Sequence, residues 1–271
     1  MALGHTRNRL HRPCVMNDFL RYKDIVFYRT LAGLKSEARK NYLGYVWFLL
    51  EPLLTTGVLY FAMSHLTGRR GAEAVMLILI GMLAWQWLEG SVMLSAGSIT
   101  AKFHVHQQVP LPKYLFPLVD IGTNTIRFAF AFGLVLVSSL LVTGGPGLAL
   151  LWLPVLLALQ LALIVGLSLV VSISVTLISD LRLLIQSLFR MLFFVSGVFF
   201  TAERVPAHLL PWFHANPMAV LIEAYRAVIL QGQAPDLGRL GTVALTAAVL
   251  LLTGGLIHSY FDKRLLKLTH V

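Results

Sequence analysis

Mostly apolar stretches recur along the chain near Tyr45–Leu66, Ala74–Ala96, Leu115–Val142, Leu148–Ile178, Leu183–Phe200 and Leu240–Phe261. About 20 helical residues at 1.5 Å each cross the roughly 30 Å hydrocarbon layer. The pattern therefore predicts an all-α integral membrane protein with six transmembrane helices. Polar residues interrupt it at telling places. Gln86 and Glu89 break the second stretch, Asp120 and Arg127 lie in the third, and Arg190 lies in the short fifth. In the first, Glu51 is followed directly by Pro52. A charged side chain at the bilayer centre costs roughly 2.5–3.5 kcal/mol, and a proline gives up a backbone hydrogen bond. A neighbouring helix, a water-filled cavity or a lipid interface must compensate both. One reading makes Glu51 structural, paired with Arg127 or Arg190.

Two further segments have helical periodicity without the length of a span. Asn17–Lys35 reads as an amphipathic helix lying on the membrane surface, with Asn17 as N-cap and Leu20, Phe27, Leu31 and Leu34 on one face. Phe19, Tyr22 and Val26 form a second stripe, so the helix is expected to touch both lipid and protein; a basic anchor on anionic lipid is the simpler alternative. Between the last two spans, Phe200–Asp236 carries Pro206, Pro211 and Pro217, then Met218, Leu221, Ile222, Tyr225 and Ile229 at helical spacing. This predicts short re-entrant helices dipping into the outer leaflet before the last span.

Composition agrees with the pattern: 57% of the 271 residues are hydrophobic and only 13% charged, too few to cover a soluble globule. The net charge of +10 is distributed unevenly. Arg7, Arg9, Arg12, Arg21, Lys23, Arg29, Lys35, Arg39 and Lys40 precede the first span, and Lys263, Arg264 and Lys267 follow the last. Positive residues accumulate on the cytoplasmic side, so both termini are expected there. Lys102, Lys113 and Arg182 then fall in inside loops, and Arg69, Arg70, Arg204, Arg226 and Arg239 in outside ones. This asymmetry accounts for the basic charge without nucleic-acid binding. The expected organisation is a cytoplasmic N-terminal segment (1–42), a transmembrane domain (43–262) and a cytoplasmic tail (263–271). The lone Cys14 leaves no internal disulfide.

Motifs for chemistry are sparse. No G-x-x-x-x-G-K-[ST] phosphate loop occurs, so ATP hydrolysis by that route belongs to another chain. His104 and His106, or His208 and His214, have no nearby Cys or carboxylate at metal-ligand spacing. No catalytic residue, cofactor site or metal site is therefore expected. Glu203, Arg204, His208, His214, Glu223 and Arg226 could in principle supply an ionisable cluster for a transferase acting on lipid-linked sugar.

The order "LGYVWFLLEPLL", further spans, then "NPMAVLIEAYRAVILQG" before the last span resembles the transmembrane subunit of ABC-2 type polysaccharide exporters, the O-antigen, capsule and teichoic-acid permeases. Matching positions are Gly44, Trp47, Pro52, Pro112, Pro117, Asp180, Ser196, Pro206, Asn216, Pro217 and Arg226. Glu51 before Pro52, and "SGVFF" at Ser196–Phe200, are more similar to the capsule branch. The resemblance implies a bacterial inner-membrane homodimer joined to two ATPase subunits that bind ATP and Mg, with a lipid-linked polysaccharide passing between the permeases. It implies that the N-terminal helix, with Arg21 and Lys23, and the loop Ala101–Lys113, with Lys102 and Lys113, contact the ATPases. Pyranose faces pack on aromatic rings, so Trp47, Trp85, Trp87, Phe193, Phe194, Phe199 and Phe200 are candidates for the channel, with Glu51 at its entrance; Trp152 and Trp212 read as interfacial belt.

Overall fold

The computed structural model describes residues 15–40, 46–67, 71–101, 112–143 and 147–268, and among them the chain is helical without strands. The helices are α1 (Val15–Lys40), α2 (Trp47–Thr67), α3 (Ala72–Ala96), α4 (Ser98–Ala101), α5 (Leu115–Thr143), α6 (Leu153–Leu177), α7 (Leu181–Val195), α8 (Leu210–Ala215), α9 (Pro217–Leu230) and α10 (Leu237–Leu268).

Helix α3 is mostly apolar, with Gln86 and Glu89 on one side, and occupies the centre, packed against α2, α5, α6 and α9; a helix so largely apolar is stable only when surrounded. The most extensive packing joins α6 to α10. Glycine makes this approach possible: a Cβ on Gly166 would lie 2.8 Å from Leu250 Cβ and from the Leu251 nitrogen, and one on Gly254 2.8 Å from Leu169 Cβ. Between helices in lipid, such close van der Waals contact replaces the hydrophobic driving force. The buried His258 of α10 adds polar contacts to Ser172 Oγ (3.3 Å) and the Leu169 carbonyl (3.2 Å) on α6.

Four helical segments, Ala72–Ala96, Leu115–Ser139, Gly147–Leu177 and Leu237–Phe261, are long and apolar enough to cross a membrane. The other two expected spans correspond to α2 and α7. Helix α2, Trp47–Thr67, has 21 residues, about 31 Å of helix, with Pro52 inside it. The fifth was expected to run to Phe200, but α7 has 15 residues, about 22 Å of helix, and stops at Val195. There Ser196 and Gly197 turn the chain, Gly197 with φ +70°, a left-handed conformation that glycine adopts without a Cβ penalty.

Helix α1 begins at Val15, ahead of the expected cap at Asn17. It rests on α5 through Thr30, Gly33 and Leu34, with Thr30 Oγ1 donating to the Val119 carbonyl (3.4 Å). Phe27 and Leu31, expected with Leu34 on one face, are exposed, while Tyr22 and Val26 of the second stripe are partly covered.

The segment before α10 is helical, as its periodicity predicts. Two short helices, α8 and α9, stand there, and α9 is buried along most of its 14 residues, among α3, α5, α6 and α10. Arg226, assigned above to an outside loop, is 4% exposed.

Candidate transport cleft

A cleft of ≈ 650 Å³ opens between α2, α3, α5 and α7. Each helix contributes polar residues from a single face: Glu51 and Thr55 from α2, Gln86 and Glu89 from α3, Asn124 and Arg127 from α5, Arg182 and Gln186 from α7. The spacings are i,i+3 or i,i+4, which align side chains on one side of a helix. Amides, two carboxylates and two guanidinium groups thus face one space.

The wall behind them is rigid. Asn124 Nδ2 donates to the Trp87 carbonyl (3.2 Å) and to Ser91 Oγ (2.9 Å), locking α5 to α3. A Cβ on Gly90 would lie 3.0 Å from Asn124 Nδ2, so that glycine makes room for the amide. Trp87 Nε1 donates to Thr125 Oγ1 (3.1 Å), and its ring stacks on Phe128 at 4.2 Å and 6°. Trp85 is buried behind the wall, edge-on to Phe189 and Phe193, and its Nε1 donates to Glu89 Oε2 (2.8 Å), which holds that carboxylate at the cleft.

Glu51 is exposed on the cleft, and its carboxylate forms no ion pair among the described residues. The expected pairing with Arg190 or Arg127 is therefore not made within one chain. Both arginines stay on the protein, Arg190 exposed on α7 and Arg127 at the cleft. Pro52 is buried within α2, which runs through it.

The remaining candidates separate into groups. Trp87 lines the cleft. Phe193, Phe194, Phe199 and Phe200 form a chain of ring contacts at 5.3–6.1 Å that continues to Phe213. Lys23 is exposed on α1 and Lys113 is half-buried before α5. Gly44, Lys102 and the side chains of Arg21 and Trp47 lie outside the described residues. Pro112 precedes α5, the Pro117 carbonyl accepts from Ser95 Oγ (3.5 Å), and Asp180 sits exposed before α7.

Ser196, Asn216, Pro217 and Arg226 converge into one cluster. Asn216 Oδ1 caps α9 by accepting from the Met218 N–H (2.9 Å), Pro217 takes the first turn, and Asn216 Nδ2 donates to Ser196 Oγ (2.8 Å). Arg226 donates from Nε and Nη2 to the Leu77 carbonyl, and from Nη1 and Nη2 to those of Gly197, Phe200 and Val198, at 2.6–3.0 Å. Burial pushes this guanidinium down to about 9, opposed by the Glu223 carboxylate, so it stays cationic at neutral pH. A Cβ on Gly81 would lie 2.8 Å from Arg226 Nη2 and from the Val198 carbonyl oxygen. The cluster thus fixes the turn after α7 to the start of α3.

The cluster weighed for transferase chemistry is organised structurally. Arg226 is committed to carbonyls, while Glu223 meets His214 Nε2 and Arg239 Nη1, both at 3.3 Å, tying α8, α9 and α10 together. Asn124, Arg182 and Gln186 were not singled out from sequence as cleft residues. Their signal is the one-sided placement of polar groups on otherwise apolar helices, which becomes visible once the four faces are seen to meet.

A family model described as ABC-2 type transporter matches residues 28–230. The O-antigen export system permease protein RfbA of Myxococcus xanthus is 23% identical over 240 residues, covering 88% of this chain and 92% of the relative. A protein of the same name from Klebsiella pneumoniae is 21% identical over 211 residues, covering 77% and 81%.

Proposed function

Since the chain belongs to the ABC-2 type transporter family, we propose that it is the permease subunit through which a polysaccharide, carried on a lipid, leaves the cytoplasm of a bacterium. The relatives' names favour O-antigen over the capsule suggested by Glu51-Pro52 and "SGVFF". The observation that carries the reading is the cleft at α2, α3, α5 and α7. Gln86 and Gln186 offer both donors and acceptors for hydroxyl groups, Asn124 keeps its amide oxygen as an acceptor, and Trp87, buried and stacked on Phe128, backs the wall beside them. A polymer that must slide is suited by such exchangeable contacts, whereas a tight site would hold it.

In this reading two copies of the chain complete a channel, with α2 and α7 at its margin, and the expected six crossings place both termini in the cytoplasm of the inner membrane. Energy comes from two copies of an ATPase subunit binding ATP and Mg. Lys23 on the exposed face of α1 and Lys113 before α5 are the described candidates for its contact, with Arg21 and Lys102 beside them in sequence. Glu51 sits at the cleft edge, where water or a cation on the ligand side can reach its carboxylate.

The test is to shut off the only copy of the gene and measure polysaccharide at the surface and inside the cell. Surface loss with polymer accumulating inside is expected. Surface loss with no internal polymer, after excluding feedback on synthesis, would overturn export in favour of a transferase.

A further inference from the structure

A second opening of ≈ 420 Å³ lies at the C-terminal end of α7, apart from the cleft, with Phe194, Phe200, Val205, Leu209 and Trp212 in its walls. Its volume falls in the roughly 300–1,000 Å³ range of pockets that hold small ligands. Arg204 is the one charged residue lining it among the described residues. That guanidinium is exposed and makes no ion pair among the described residues. Trp212 is 78% exposed at the rim, and an exposed apolar stripe, Leu184, Leu188, Met191 and Val195, leads from the opening along α7.

Position along the bundle comes from Arg226, which ties the turn beside this groove to Leu77. Leu77 lies five residues, about 7.5 Å, inside the start of the spanning helix α3. A tryptophan and an arginine near the end of a span belong at headgroup level, with apolar surface continuing inward. We propose that this groove is a binding site for an anionic glycerophospholipid, one acyl chain lying in the groove and along the α7 stripe, and the phosphate on Arg204. A second copy of the chain fits the surface less well. Among the described residues the groove lining holds no carboxylate, so two such patches meeting about a two-fold axis would put two guanidinium groups into one interface with no acidic partner in either lining.

The full chain in phosphatidylcholine nanodiscs, doped with phosphatidylglycerol or phosphatidylcholine carrying brominated acyl chains, tests this. The Trp212 contribution is the fluorescence difference between wild type and Trp212→Phe, a substitution at an exposed position. At equal doping, brominated phosphatidylglycerol is expected to quench it about fivefold more effectively, as one cation at a membrane surface supplies, and Arg204→Gln should equalise the two lipids. Native mass spectrometry should show phosphatidylglycerol retained by wild type and lost from Arg204→Gln. Equal quenching by both lipids in wild type would reduce the groove to unselective lipid contact and overturn the proposal. Absence of quenching would mean that protein, such as a second copy, covers Trp212. A phosphatidylglycerol preference that survives Arg204→Gln would remove Arg204 from the site.

Discussion

Arg226 on α9 donates two hydrogen bonds, from Nε at 3.0 Å and Nη2 at 2.9 Å, to the carbonyl of Leu77 on α3, a residue 149 positions away in the chain. The remaining donors reach three carbonyls of the turn after α7. A planar fork of five N–H groups can satisfy several acceptors at fixed angles, which an ammonium on a flexible stem cannot.

Arg226→Met should therefore cost about 3–5 kcal/mol, the range for breaking a buried charged network, because four carbonyls lose their donor. Arg226→Lys should recover only part of this. Thermal unfolding of the purified variants in detergent checks the order. A lysine variant as stable as wild type would show that charge alone, without the fork, holds the turn.

Asn216→Ala removes both the N-cap of α9 and the donor to Ser196. A loss of about 1–2 kcal/mol follows, and the same unfolding measurement reads it. An unchanged midpoint would leave the cap without energetic weight.

Close helix approach gives a second stability test. Gly166→Ala places a methyl within 2.8 Å of Leu250 and Leu251, whereas a Cβ on Gly133 has nothing within 4 Å. The first should destabilise by about 1–3 kcal/mol through overpacking, and Gly133→Ala should not destabilise. Equal behaviour of the two would contradict the tight α6–α10 contact.

The cleft separates export from folding. Gln86 and Gln186 make no side-chain hydrogen bond among the described residues, so Gln86→Leu with Gln186→Leu should leave the melting midpoint near wild type. Export should fall about tenfold, on the scale of one or two hydrogen bonds lost to the moving polymer. Surface polysaccharide measured at matched expression decides it, and unaltered export would take these amides off the path. Glu51→Gln should likewise shift stability by no more than about 0.5 kcal/mol, since the carboxylate has no ion-pair partner among the described residues to lose.

Charge reversal at Lys23 or Lys113 should weaken co-purification of an ATPase subunit more than it lowers membrane insertion. The opposite ranking would remove α1 and the segment before α5 from that contact.

Class and chemistry were legible in the sequence because membrane insertion is a property of local composition. A run of apolar residues cannot be satisfied in water, so Ala72–Ala96, Leu115–Ser139, Gly147–Leu177 and Leu237–Phe261 follow from the chain alone. The missing phosphate loop is likewise a linear fact. What the sequence could not decide was which polar residues meet. Arg226 reads as a loop cation because nothing near it in the chain reveals four carbonyl acceptors, which come from α3 and a distant turn. Glu51 reads as half of an ion pair because a buried carboxylate needs one, yet α2 lies at the edge of the bundle and leaves it exposed. The polar faces of α2, α3, α5 and α7 become a cleft only through packing, since each helix's periodicity specifies a face but not the neighbour it turns toward.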